Sequence, residues 1–278
     1  MEYEEIHNVS YVRDGHDRQK LDLYLPGKCT TPSPLIVYIH GGAFQFGNKE
    51  TELIPKHMRD KGYAIASIDY RLSGDAVFPA ALEDCKTAVR WLRANADKYR
   101  LDPDRFVAWG ESAGGHHAAM LGTTGDIKDF DVGEHLDVSS AVQGVVDYYA
   151  PTDFLQMDNH APAASQTHNH SNSPESKYIG GTITEHPDKV KRANPITYIS
   201  ASTPPFCIAH GTDDHLVPIH QSILLAVALA HANVPFTFHR VEGTDHVFRG
   251  ASVEQRQSLQ KATEEFIDSL WSLGEALE

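Results

Sequence analysis

The sequence predicts an α/β fold, a mostly parallel central sheet with helices on both faces. Three observations point there. Short apolar runs alternate with segments of helical periodicity through most of the chain. Residues 35–39, 63–68 and 206–209 are apolar almost without a break, as strands buried on both faces are. Glycine-bearing loops follow three strand candidates, as His40-Gly-Gly, Gly110-Glu-Ser-Ala-Gly114 and His210-Gly211. In parallel sheets such loops gather at one edge.

Residues 6–12 and 21–25 alternate around an Asp14-Gly15 turn signal, so they predict an antiparallel N-terminal hairpin at the sheet edge, ended by Pro26. Strand 35–39 leads into His40-Gly-Gly-Ala-Phe44. A helix is expected over 50–61, stopped by Gly62, before the strand at 63–68. Pro79 opens a long helix with Leu82, Cys85, Val89 and Leu92 on its apolar face and Glu83, Lys86, Arg90 and Arg93 elsewhere. The run 105–109 is the strand before the serine turn, and 115–121 the helix after it. Strands follow at 142–149, 206–209 and 236–241. Ile219, Ile223, Leu224 and Val227 mark one helix, and Leu259, Ala262, Phe266 and Leu270 the last.

Residues 151–195 break this alternation. They are rich in Ser, Asn, His, Pro and Gly and lack long apolar periodicity. The expectation is a single domain, 1–278, with a lid-like insertion at about 151–195 over the C-terminal edge of the sheet.

A length of 278 residues with 41% hydrophobic content can bury a full core. The net charge of −14 argues against nucleic acid as a partner. The three cysteines, Cys29, Cys85 and Cys207, show neither metal spacing nor a disulfide framework. The acidic N-terminus is no signal peptide, and no apolar run approaches a membrane span. The expected setting is cytoplasmic, or secreted had a leader been removed, with a homodimer compatible.

The chemistry centres on Gly110-Glu-Ser-Ala-Gly114. G-x-S-x-G carries meaning at a strand-to-helix turn, which lifts the serine hydroxyl clear of the sheet. A serine nucleophile needs a base, an acid to orient it, and donors for the oxyanion. Asp214 is the chosen acid, since Leu216-Val217-Pro218 anchors its loop; neighbouring Asp213 reads as an Asx cap. Of seventeen histidines, His246 alone lies in a strand-end loop after both Ser112 and Asp214. The expected donors are the N–H groups of Gly42, Ala43 and Ala113, with His40 bracing their loop. Phe44, Phe46, Tyr149 and Phe154 are candidates for an aromatic acyl pocket. Structural hydrogen bonds are expected of Asp69 and Asp84. Glu111 and Asp153 are expected to support the site, and Asp245 to shape its loop. His116 and His117 diverge on a helix and form no metal pair. His168 and His170 read as a solvated loop. No metal or organic cofactor is expected.

Together these loops resemble the α/β-hydrolase superfamily. More narrowly, the chain resembles the small carboxylesterases that include bifunctional feruloyl and acetyl-xylan esterases, relatives of the hormone-sensitive-lipase-like esterases. Further matching stretches are Gln19-Lys-Leu-Asp-Leu-Tyr-Leu-Pro26, Tyr70-Arg-Leu-Ser73, Ala88-Val-Arg-Trp-Leu-Arg93, Tyr149-Ala-Pro-Thr-Asp-Phe154, Ser173-Pro-Glu-Ser176 and Asn194-Pro-Ile-Thr-Tyr198. The resemblance implies Ser112 as nucleophile, His246 as base and Asp214 as its partner. It implies a serine hydrolase acting on short-acyl or hydroxycinnamoyl esters of a sugar or small alcohol. An amidase such as an arylformamidase, or a small peptidase, would use the same triad. A binding module on this fold would usually lack a triad member, and all three are present. The glycine loop reads Gly-Gly-Ala-Phe where relatives often carry three glycines and a tryptophan, so a different acyl pocket is expected.

Overall fold

Eight strands form one sheet in the order β1-β2-β4-β3-β5-β6-β7-β8. They are β1 (Glu4–Ser10), β2 (Lys20–Leu25), β3 (Ser33–Ile39), β4 (Ala64–Ile68), β5 (Leu101–Glu111), β6 (Gly144–Tyr148), β7 (Phe206–Gly211) and β8 (Phe236–Val241). The computed structural model describes residues 3–27 and 31–272; Cys29 lies outside them. Strands β1 and β2 are the antiparallel hairpin, and β2 also runs antiparallel to β4. Every later pairing is parallel. The parallel strands β3, β4, β6 and β7 are buried almost end to end, which explains their mostly apolar sequence.

The helices are α1 (Ala80–Ala94), α2 (Ala96–Tyr99), α3 (Ala113–Thr123), α4 (Met157–His160), α5 (Pro174–Ile179), α6 (Pro187–Arg192), α7 (His220–His231) and α8 (Val253–Ser272). Two buried clusters cover the two sheet faces. One joins Leu35, Val37 and Ile39 to α1 and α3, and the other joins Ile36, Tyr38 and Val107 to α8. No helix among the described residues is long and apolar enough to cross a membrane.

Two expectations, the helix at 50–61 and the apolar face of α7, are corrected. Residues 50–61 form turns and a short 3-10 helix, Lys56–Lys61, not a full α-helix. The polar side of α1 is covered by a neighbouring loop. Lys86 donates to the carbonyls of Thr124 and Ile127, and Arg90 to that of Val132, while Asp131 pairs with both cations. The 127–134 loop thus caps this face with carbonyl oxygens, which helical spacing cannot reveal. On α7 the buried face is Gln221, Ser222, Leu225, Ala226 and Leu229, and Val227 is exposed. Residues 151–195 are partly helical. They carry α4, α5 and α6 and send Met157, Tyr178, Ile179 and Val190 into the core.

Candidate active site

The C-terminal ends of β3, β5, β7 and β8 lie at one sheet edge, with Ile39 paired to Gly110 and Gly211 to Val241. Their loops carry the residues singled out above. Ser112 sits between β5 and α3 with φ 54° and ψ −122°, a conformation sparsely populated by side-chain-bearing residues. Its N–H donates to the Tyr148 carbonyl, and its carbonyl accepts from His116. The flanking glycines are steric necessities. A Cβ on Gly110 would run into the Gly114 carbonyl, and one on Gly114 into that of Ile39.

Three side chains meet in a row. His246 Nε2 lies 3.0 Å from Ser112 Oγ, and His246 Nδ1 lies 2.7 Å from Asp214 Oδ2. The carboxylate is held from its other side, where Oδ1 accepts the N–H groups of Leu216 and Val217 at 2.9 and 2.8 Å. The Asx-type turn therefore belongs to Asp214 itself. Asp213 is exposed and, among the described residues, accepts only from the Thr212 hydroxyl. Burial pushes the Asp214 carboxyl up, but His210 and His246 beside it overcome this and hold it well below the usual carboxylate range. Ser112 Oγ thus faces an imidazole nitrogen backed by a buried anion, which suits it to lose a proton.

Supporting groups lock the loops. Asp245 Oδ1 accepts from the N–H of both His215 and His246, tying the acid and base loops together. His210 is fully buried; Ser222 donates to its Nδ1, and its Nε2–H points at the Val217 carbonyl, 3.3 Å from Asp214 Oδ2. The sequence places His210 at a strand end beside Gly211 without showing its role; the Asp four positions later was the available signal. His40 stacks on Tyr70, donates from Nδ1 to the Gly41 carbonyl and accepts at Nε2 from Arg18. Asp84 holds Arg71 bidentately, and Asp69 accepts the Lys49 N–H.

Gly42 (φ 125°) and Ala43 (φ 51°) turn the glycine loop over Ser112. Among the described residues, the N–H groups of Gly42, Ala43 and Ala113 have no hydrogen-bond acceptor in the turns and loops. They are available donors. Beside them opens a cleft of about 300 Å³ lined by Gly42, Ala43, Phe46, Ser112, Tyr149 and His246, among others. Phe46 is exposed at its mouth. Tyr149 lies edge-on to the His246 ring and donates to Glu111 Oε2 at 2.7 Å. Burial pushes the Glu111 carboxyl up to about 7 despite that bond.

Phe44 and Phe154 do not line this cleft, but Phe44 borders a smaller slot on the other side of Ser112. They pack with His116 and Tyr178 in a buried aromatic cluster, Phe44 stacked on Tyr178. Positive φ at Ala43 and Phe44 turns the Phe44 ring inward, which the sequence alone does not show. Asp153 caps the turn at Phe154 and accepts the Leu155 N–H. His168 is buried rather than solvated and braces the insertion. It contacts Glu175 Oε2 at 2.8 Å and the Leu216 carbonyl at 3.1 Å. His170 is exposed, as expected.

A model of the BD-FAE family matches residues 21–229. The chain belongs to this family. Among curated relatives, the esterase LipC of Mycobacterium tuberculosis is 29% identical over 69% of this chain and 47% of its own length. The probable carboxylic ester hydrolase LipM of the same organism is 30% identical over 76% of this chain and 50% of its own. The chain thus spans about half the length of these relatives. A truncated carbohydrate esterase from gut microbiota superposes with TM-score 0.86 at 31% identity, covering 96% of both chains. A bifunctional GH43-CE from Bacteroides eggerthii gives TM-score 0.85 at 35% identity over 96% of this chain and 38% of that one. The fold of this BD-FAE member is accordingly the α/β-hydrolase fold, with the N-terminal hairpin as its antiparallel edge.

Proposed function

We propose that the protein hydrolyses carboxylic esters through an acyl-enzyme on Ser112. The contiguous row Asp214–His246–Ser112 carries this reading, supported by the named esterases among its relatives. Ser112 Oγ attacks the ester carbonyl carbon as His246 Nε2 takes the hydroxyl proton. The carbonyl oxygen, now an anion, lies against the N–H groups of Gly42, Ala43 and Ala113. Asp214 keeps the proton of His246 on Nδ1 and offsets the imidazolium charge. Collapse of the intermediate breaks the bond to the alcohol, which leaves with the proton from Nε2. Water then attacks the acyl carbon, giving its proton to His246, and the acid departs as Ser112 Oγ recovers that proton.

The substrates are short-acyl esters of a sugar or small alcohol, and the insertion at 151–195 is the cover on the acyl side. Hydrolysis of 4-nitrophenyl acetate by the wild type, reduced to background in folded Ser112→Ala, is the expected result. Unchanged turnover in Ser112→Ala, or faster cleavage of N-formylkynurenine than of any ester, would overturn the reading.

A further inference from the structure

Two cavities meet at Ser112. One is the open cleft beside His246. The other is a slot of about 20 Å³ bounded by Ala43, Ser112, Ala113, Pro174, Glu175 and Val217. His246 borders the cleft and not the slot. This inference rests on the ester-hydrolase reading above. The leaving alcohol must take its proton from His246 Nε2, so it departs on the cleft side. The acyl substituent lies opposite, against the slot. Its volume suits about one or two non-hydrogen atoms beyond the carbonyl carbon.

The slot is not wholly apolar. Glu175 is buried, and so is its partner His168. His168 faces a carboxylate oxygen at Nδ1 and a carbonyl oxygen at Nε2, two acceptors, so both ring nitrogens donate and the ring is an imidazolium. Burial pushes His168 down, but the bond to Glu175 more than restores it and holds it above the ordinary value. Glu175 Oε2 is thus engaged by the His168 Nδ1–H. Among the described residues its Oε1 has no hydrogen-bond donor, although the side chain lines the slot. A methyl group pressed against such an oxygen removes its solvation and returns nothing, whereas a hydroxyl donates to it.

We propose that Glu175 is a specificity-determining residue for the acyl group, and that the slot takes small acyl groups with a hydrogen-bond donor at the 2-position. Hydroxyacetyl and propionyl match in non-hydrogen atoms and differ at that donor alone, so they form the test pair. Acetyl fits by size, while butyryl and feruloyl exceed the slot.

The experiment measures kcat/KM for the acetyl, 2-hydroxyacetyl, propionyl and butyryl esters of one alcohol, together with phosphonate labelling of Ser112. The expected wild-type result is 2-hydroxyacetyl over propionyl by about tenfold or more, with butyryl lowest. Glu175→Gln is expected to bring that ratio to within about threefold of unity, since its one oxygen stays on His168 and the NH₂ turned to the slot cannot accept the 2-hydroxyl proton. Val217→Ala is expected to raise butyryl relative to acetyl by widening the slot. Propionyl equal to 2-hydroxyacetyl in the labelled, active wild type overturns the proposal while leaving the esterase reading intact. So does a ratio unmoved by Glu175→Gln in protein that melts normally. Failure of every ester together with no labelling of Ser112 overturns both.

Discussion

Replacing Asp214 with Asn tests how the acid works. The carboxylate has two jobs on two oxygens. Oδ1 accepts the Leu216 and Val217 N–H groups, while Oδ2 faces His246 Nδ1 at 2.7 Å. An asparagine oxygen can keep the first job, so the loop holds its shape. The amide NH₂ then points at His246 Nδ1, where two donors cannot bond. The ring relieves this by moving its proton to Nε2, which faces Ser112 Oγ at 3.0 Å. In that tautomer it cannot accept the hydroxyl proton. A charge-assisted hydrogen bond contributes about 1.5–3 kcal/mol, and the wrong tautomer and lost imidazolium compensation add a comparable amount. The sum of about 3–6 kcal/mol corresponds to a loss in kcat of about 10²–10⁴-fold. Steady-state hydrolysis of 4-nitrophenyl acetate reads kcat, and thermal melting checks the fold. A loss below about tenfold in a folded variant would refute the two-oxygen account, because the anion would then be dispensable.

Other perturbations isolate other parts. Gly42→Ala places a Cβ against the Phe46 carbonyl at φ 125°; displacement of this donor loop should cost about 10²–10³-fold in kcat, measured beside an unchanged circular dichroism spectrum. Asp245→Ala removes the acceptor shared by the His215 and His246 N–H groups. It should cost about 1–2 kcal/mol of stability in urea melts and slow phosphonate labelling of Ser112. Asp147 is buried, and burial lifts its carboxyl to about 7 despite the Ala150 N–H. Between the ordinary carboxylate pKa and 7 the folded state therefore binds more protons than the unfolded state, so stability falls as pH rises through that window. The loss is on the order of 4 kcal/mol. Asp147→Asn should flatten the slope in denaturant melts taken from pH 4 to pH 8, and an unchanged slope would assign it elsewhere.

The parallel sheet was legible because strands buried on both faces must be apolar on both faces. The placement of Ser112, Asp214 and His246 followed from strand-end loops in chain order. What stayed hidden depends on contacts from distant segments. Lys86 and Arg90 look like solvent residues until the carbonyls of 124–134 cover them. Phe154 looks like a pocket residue until it packs against His116 and Tyr178. His168 looks solvated until α5 brings Glu175 beside it. In each case a local pattern stated the side chain's chemistry, and a non-local partner decided its environment.

Mapping the residue modified by a fluorophosphonate is the most direct measurement of the central claim. The account predicts one adduct, on the peptide containing Ser112, formed in step with loss of esterase activity and sharply slowed in His246→Ala. Inactivation with the adduct on another residue, or full labelling of Ser112 in folded His246→Ala, would contradict it.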